Sequence, residues 1–500
     1  MAYITVSGNY FTRRTLRSAP IRVRHAIEQG ISPMTSARNL LIIISDEHRR
    51  DAMGCAGHRV VQTPHLDALA AHGTRFTNAY TPSPMCVPAR AAMATGDYVH
   101  KARNWDSATP YDGDMPGWMH ACRPTLPVTS IGKLHFRSTD DDNGFARELL
   151  PMHVVGGTGW PIGLLRQDPP PFEAAAELAA DVGTGPSSYT DYDRAITARA
   201  VDWLAQRDAT PWAGFMSLVS PHYPLTAPKD FARLYDPAKM DEPVAPDQIQ
   251  SHPEVQNIAG FFDYARHFDP QSSRAARAAY YGLTSFLDDC VGQILAALDA
   301  TGQRDETLII YTSDHGEMLG DHGLWTKQVM YEASVGVPLI VSGPGIPEAA
   351  TCTTTASLLD IAATARDVAG LPPDDKPGRS LIQMANAPSD PDRTILSEYH
   401  DGGSKTASFM IRWGDWKYVH YVGHAPQLFD LTQDPSELTD IATQRPEITA
   451  EGEARLRAIC DPEAVNARAF ADQRAKIEAL GGREAILNAP AFNHTPTPTG

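Results

Sequence analysis

The sequence predicts an α/β fold in which helices sandwich a large, mostly parallel sheet, followed by a smaller C-terminal α+β subdomain with an antiparallel sheet. Three observations predict it. Residues 40–44 (Leu-Leu-Ile-Ile-Ile) and 308–311 (Leu-Ile-Ile-Tyr) are continuous apolar runs that lead into acidic residues. Unbroken apolar strands belong to parallel sheets covered on both faces. Helical patterns over 65–72, 195–206, 274–298 and 355–368 alternate with these runs and with further strand candidates at 214–219 and 338–341, as an α/β sandwich requires. After about residue 375 the texture changes. Short strands at 394–399, 409–412 and 416–421, then Gln427-Leu428-Phe429-Asp430-Leu431, read as a small antiparallel sheet. A helix over about 446–459 follows.

The main domain is expected to span 39–375 and the C-terminal subdomain 376–480. Segments 137–190 and 224–273, rich in Pro, Gly and Asp, read as loops over one sheet edge. The terminal 481–500, ending Thr-Pro-Thr-Pro-Thr-Gly, reads as an extended tail. Such an arm suits packing on another subunit, so a homo-oligomer (dimer or tetramer) is expected. Residues 1–38 hold six Arg against the single acid Glu28 and lack the apolar core of a secretory signal. They read as a non-native leader or early start ahead of Met34, in preference to an organelle transit peptide.

The 500-residue chain has a formal net charge of −17. That balance argues against nucleic acid or an anionic membrane as the main partner. It leaves room for an anionic substrate, because a local cluster of cations and metal reverses the field inside a pocket. No apolar run is long enough to span a bilayer. The six cysteines are scattered without paired spacing, which argues against a disulfide framework and a structural zinc site. A reducing, cytoplasmic setting is expected.

Ligands of such sheets sit at the carboxyl ends of strands. Asp46 and Glu47 end one candidate strand, and Asp314 and His315 end another. Either pair alone is most often a turn or a helix cap. Together at one edge they suit a hard divalent cation. Cys86 stands in Pro84-Met85-Cys86-Val87-Pro88-Ala89-Arg90, with Pro88 fitting a first helical turn and Gly96 a helix stop. Cys86 is thereby placed at a helix N-terminus, where partial positive charge favours an anion. Arg90 is one turn on. A lone cysteine is usually a small buried hydrophobe; this context reads instead as a nucleophile beside an anion site.

Cys-x-Pro-Ala-Arg followed by Thr-Gly resembles the signature of type I sulfatases in the alkaline phosphatase superfamily. The resemblance runs over about 39–440. It takes in Thr63-Pro64-His65-Leu66-Asp67, Gly132-Lys133-Leu134-His135, Ser220-Pro221-His222-Tyr223-Pro224, Asp314-His315-Gly316, Lys327, Val337-Pro338 and Asp434-Pro435. It implies an alkaline phosphatase-like fold, cleavage of sulfate esters, and oxidation of Cys86 to formylglycine by a formylglycine-generating enzyme. The aldehyde hydrate would bind the metal and attack sulfur, and its second hydroxyl would help expel sulfate. By the same resemblance Asp46, Asp314, His315 and the modified Cys86 are metal ligands. Glu47 takes a neighbouring ligand position where the family usually has Asp, Asn or Gln. Arg90 would hold the hydrate, and Lys133, His135, His222 and Lys327 would ring the sulfate. Carboxylates suit Ca²⁺, with Mn²⁺ or Mg²⁺ as alternatives.

Segments such as Tyr280-Tyr281-Gly282-Leu283-Thr284, Gly316-Glu317-Met318-Leu319-Gly320 and Ser397-Glu398-Tyr399 resemble the choline-sulfatase branch. There, Glu398 would receive a quaternary ammonium, and Asn143 stands near the choline site where that branch has His. Gly336 stands where many relatives carry Arg. The substrate expected is a small anionic aryl or alkyl sulfate ester. The alternative is a phosphonate monoester or phosphodiester, whose hydrolases in this superfamily tend to lack the Lys-x-His pair seen at Lys133 and His135.

Overall fold

The computed structural model describes residues 1–2, 37–244, 252–490 and 494–498. The expected leader, 1–38, lies outside them apart from its first and last two residues. Eight strands form the main sheet: β1 (Asn39–Asp46), β2 (Gly73–Phe76), β3 (Val128–Lys133), β4 (Arg147–Met152), β5 (Ala213–Pro221), β6 (Thr307–Ser313), β7 (Leu339–Ser342) and β8 (Ala350–Cys352). Their order is β8-β2-β7-β6-β1-β5-β3-β4. Only β7 runs against its neighbours.

Every residue of β1 is buried, and the reason lies in the two-residue period of a strand. Leu40, Ile42 and Ile44 pack on one face with Ala91, Met93 and Ala94 of the helix Cys86–Thr95. Leu41 and Ile43 pack on the other with Ile196, Leu287 and Ile294 of the long helices Ser188–Ala205 and Pro270–Ala300. Both faces are covered, so the strand reads as one apolar run.

The C-terminal sheet is β9 (Ile395–Tyr399), β10 (Ser408–Trp413), β11 (Trp416–Tyr421) and β12 (Gln427–Asp430), antiparallel in sequence order. The expected helix is present as Pro446–Ile459, and a second, Pro462–Ala479, follows it. The architecture is the mixed α/β sandwich with an antiparallel satellite sheet that the sequence predicts.

Some local expectations are corrected. The segments expected as loops hold β4 and the helices Ala174–Ala180 and Pro253–Phe262. The helix expected over 355–368 starts at Asp360, because Ala356–Ser357 pairs as a short strand with Ala79–Tyr80. The tail is not wholly extended: Arg483–Leu487 is helical. Further on, the Tyr189 hydroxyl donates to the Thr495 carbonyl at 2.8 Å, so this part of the tail lies against its own chain. No helix among the described residues is long and apolar enough to cross a membrane, and all six cysteines are free.

Candidate active site

Register brings the reactive side chains together. β1 and β6 are parallel neighbours with Ser45 opposite Ser313, so Asp46 and Asp314 leave the sheet side by side. On the other flank β5 delivers His222, and β3 delivers Lys133 and His135. At Gly132 φ is +104°, and a Cβ there would lie 2.2 Å from the Ser217 carbonyl oxygen. Glycine therefore allows the close strand approach from which Lys133 projects.

Cys86 is the first residue of its helix, with Met85 as N-cap, and Gly96 at φ +70° ends it. The helix is buried throughout. Cys86 Sγ lies 3.0 Å from His315 Nε2 and 3.7 Å from Asp46 Oδ1. One turn on, the Arg90 guanidinium is spread across the site. Its Nε donates to Asp314 Oδ2 at 2.7 Å and Nη2 to Asp46 Oδ2 at 3.1 Å. Nη1 donates to the Lys133 carbonyl and to Ser217 Oγ. A planar fork suits this bridging and a lysine would not.

Three more groups close the ring. Lys133 Nζ is 2.5 Å from Asp46 Oδ2. Lys327 Nζ is 3.1 Å from His222 Nε2 and 3.1 Å from Glu47 Oε1. His135 is buried, and neither of its ring nitrogens has a hydrogen-bond partner among the described residues.

The electrostatics follow from burial. Burial by itself would raise the Asp46 pKa, but the Lys133 and Arg90 charges outweigh it and hold the carboxylate ionised. Burial, reinforced by Lys327, keeps His222 neutral; burial with Lys133 and Arg90 does the same for His135. The Cys86 thiol is pushed up to about 12 by burial and by Asp46.

The donor set fits a divalent cation. Ligand atoms of Asp46, Cys86, Asp314 and His315 lie within 4.8 Å of one another, all buried. His315 Nδ1 lies 3.0 Å from the Gly316 carbonyl, which takes its proton and leaves Nε2 as the lone-pair donor on the inner side. Glu47 sits differently. It groups with Asp46 and His222, and its oxygens face Lys327 and, at 3.3 Å, His222. Its longer side chain reaches past the ligand cluster, from a backbone at φ +66°. Burial raises its pKa to about 8, against Lys327 and with Glu317.

Above this floor is a cavity of about 110 Å³ lined by Cys86, His135, His222 and Lys327 below and by aromatic rings at the sides. Trp160, Phe172, Phe262 and Tyr264 form one aromatic cluster there. All four come from the segments expected only as loops. Aromatic residues within Pro- and Gly-rich stretches were the available signal.

Asn143 and Glu398, expected to bind substrate, do not line the cavity. Asn143 Nδ2 donates to the Ser138 carbonyl and to Glu148. Glu398 is buried between His100 Nδ1 at 2.8 Å and His400 Nε2 at 3.0 Å. Glu398 is thereby held between two histidines, and Asn143 is held through its Nδ2 while its Oδ1 has no partner among the described residues. At Gly336 the expected arginine is replaced in space: the Arg50 guanidinium lies 3.1 Å from where a Cβ would stand and pairs with Glu332.

Comparison with known proteins decides the family. A family model described as Sulfatase matches residues 38–134 and 154–371. The chain belongs to the sulfatase family. A second model, N-sulphoglucosamine sulphohydrolase, C-terminal, matches 320–459. Arylsulfatase K of Bos taurus is 31% identical over 470 residues, covering 88% of this chain and 84% of that protein. A choline-sulfatase of Rhizobium meliloti (strain 1021) is 33% identical over 437 residues, covering 82% and 83%. Among solved structures, a phosphonate monoester hydrolase of Agrobacterium radiobacter superposes with a TM-score of 0.68 at 26% identity, covering 86% of this chain and 96% of that one. This sulfatase is therefore an enzyme of sulfate ester hydrolysis, and the alkaline phosphatase superfamily is its wider setting.

Proposed function

We propose that this sulfatase cleaves the S–O bond of a small aryl sulfate at a formylglycine derived from Cys86. The observation that carries the reading is Cys86 Sγ beside Asp46 and His315 at the head of a helix whose Arg90 bridges Asp46 and Asp314. Asp46, Asp314 and His315 would hold one divalent cation together with residue 86, and Glu47 flanks them. Ca²⁺ suits this oxygen-rich set, with Mn²⁺ and Mg²⁺ as alternatives. When bound, the cation polarises the sulfate oxygens and favours the ionised form of the nucleophilic hydroxyl.

The chain's own residues do the rest. Lys133 and Lys327 neutralise charge on the sulfate oxygens. His222 donates Nδ1–H to the Tyr223 carbonyl at 2.7 Å, so Nε2 faces the site unprotonated. It is placed to take the nucleophile's proton, and the Lys327 ammonium beside it to stabilise or protonate the departing phenolate. His135, with both nitrogens unpartnered, is free to bond a sulfate oxygen. The helix N-terminus adds its dipole to the same anion.

Lys327 near the ester, and the lack of a carboxylate in the cavity lining among the described residues, favour an aryl ester over a quaternary ammonium. A formylglycine-generating enzyme is the required partner. A cytoplasmic setting and a homo-oligomer complete the proposal. Mass spectrometry of the peptide carrying residue 86 from active enzyme tests the nucleophile: an unmodified thiol refutes it.

A second reading is favoured by the phosphonate monoester hydrolase neighbour: hydrolysis of phosphonate monoesters or phosphodiesters in the same site. Turnover of an aryl sulfate against an aryl phosphodiester decides, and a large excess for the phosphodiester reverses the order.

A further inference from the structure

The C-terminal segment reaches the reaction cavity. His494 and Thr495 line it together with Cys86, His135, His222 and Lys327, although they lie more than 160 residues beyond Lys327 in sequence. Tyr189 is the joint. One side of its ring meets His222 edge-on at 5.8 Å between centroids. Another meets His494 edge-on at 5.0 Å. Its hydroxyl donates to the Thr495 carbonyl at 2.8 Å. Tyr189 is buried on Ser188–Ala205, a helix whose N-cap Ser187 bonds the Thr190 amide. The tail is thus held against a rigid post that also touches the reacting end of the site.

With His494 and Thr495 in place the cavity is about 110 Å³. An engineered cavity of about 150 Å³ takes up benzene. The room here is smaller than that, so the sulfate and the near part of one ring fill it, and a second ring would need the space that the tail occupies. The floor residues act on the sulfate and are indifferent to what lies beyond the ester oxygen. The tail faces that outer part.

We infer that His494 and the Thr495 backbone, latched by Tyr189, are specificity-determining elements that set the upper size of the leaving group. The inference rests on the sulfatase reading and goes beyond it. The tail makes no contribution to the chemical step, so its loss changes which esters are accepted and leaves the hydrolysis of a small one in place.

The test compares the full chain, a chain ending at Pro490, and His494→Ala and His494→Trp. Each is assayed for kcat/KM on 4-nitrophenyl sulfate and on a two-ring aryl sulfate whose phenol has similar acidity. The ratio, two-ring over one-ring, is expected to rise tenfold or more in the shortened chain and at least threefold in His494→Ala. It should fall in His494→Trp, which keeps the tail and fills the cavity. Melting curves accompany each variant; if the shortened chain does not fold, the opposed substitutions at His494 decide alone. A ratio unchanged within twofold in both His494 variants overturns the inference. Failure of the full chain to release sulfate from either ester overturns the sulfatase reading itself, and is told apart by that result.

Discussion

Glu398 offers a quantitative test of structural support against substrate binding. Burial alone would raise its pKa, but the His100 charge and the ring donors of His100 and His400 bring it from 4.5 down to about 2. A depression of that size corresponds to on the order of 3 kcal/mol of folding free energy. The sign is that of a carboxylate ionised more easily in the folded state. Its stabilisation is in full force above the unfolded value of 4.5 and is lost as pH falls from there through about 2. The same carboxylate takes the His100 amide, and the Glu398 amide donates to the Pro82 carbonyl just ahead of the Cys86 loop. Glu398→Gln is therefore expected to lower the unfolding free energy at pH 7 by about 3 kcal/mol, with variant and parent converging as the pH approaches 2. Urea melts across pH 7 to 3 measure the difference. The ratio of kcat/KM for 4-nitrophenyl sulfate to that for choline sulfate should stay fixed. Unchanged stability with a selective rise of KM for choline sulfate would refute the argument and restore Glu398 to the substrate.

Other outcomes follow from the same geometry. Cys86→Ala should fold at a cost on the order of 1 kcal/mol and lose turnover to background; appreciable turnover refutes the nucleophile. Arg90→Ala leaves Asp46 and Asp314 buried without their shared guanidinium, at a cost of roughly 3–5 kcal/mol in a denaturant melt, and Arg90→Lys recovers only part of it. Chelation should abolish turnover and lower the melting temperature, both restored by Ca²⁺, since the donor carboxylates are then left facing one another. Asp193 accepts from the Val219 and Ser220 amides just before His222, so Asp193→Ala should lower kcat by about tenfold with little change in KM.

The reaction centre was legible because it is built where the fold leaves little choice. Asp46 and Asp314 end or directly follow strands whose parallel register is forced by two covered faces; Lys133 ends β3, a strand not picked out from the sequence, and was found only through the resemblance. Cys86 and Arg90 share one helix turn, and that spacing is fixed whatever surrounds it. The sheet, the sandwiching helices and the antiparallel satellite sheet follow from the same two periodicities. Edge strand β4 escaped notice because its residues 147–150 are only partly buried or exposed, which leaves no apolar run to read.

The substrate side was illegible for a different physical reason. Resemblance gives the position of a side chain along the chain, but its partners decide what it does. Glu398 was expected by resemblance to receive an ammonium, yet it is held by two histidines; the Asn143 Nδ2 is held by Ser138 and Glu148. The aromatic rings and the tail residues that line the outer part of the cavity come from the Pro- and Gly-rich segments and from the C-terminus, where neither period nor capping constrains the sequence. Trp160, Phe172, Phe262 and Tyr264 find one another through a shared aromatic cluster, and His494 is brought in by a single tyrosine. Each contact is weak alone, worth about 0.5–1.5 kcal/mol for an aromatic pair. Such contacts can be exchanged without unfolding the sheet, so this enzyme's choice of ester is free to change while its sulfate chemistry stays fixed by the strands beneath.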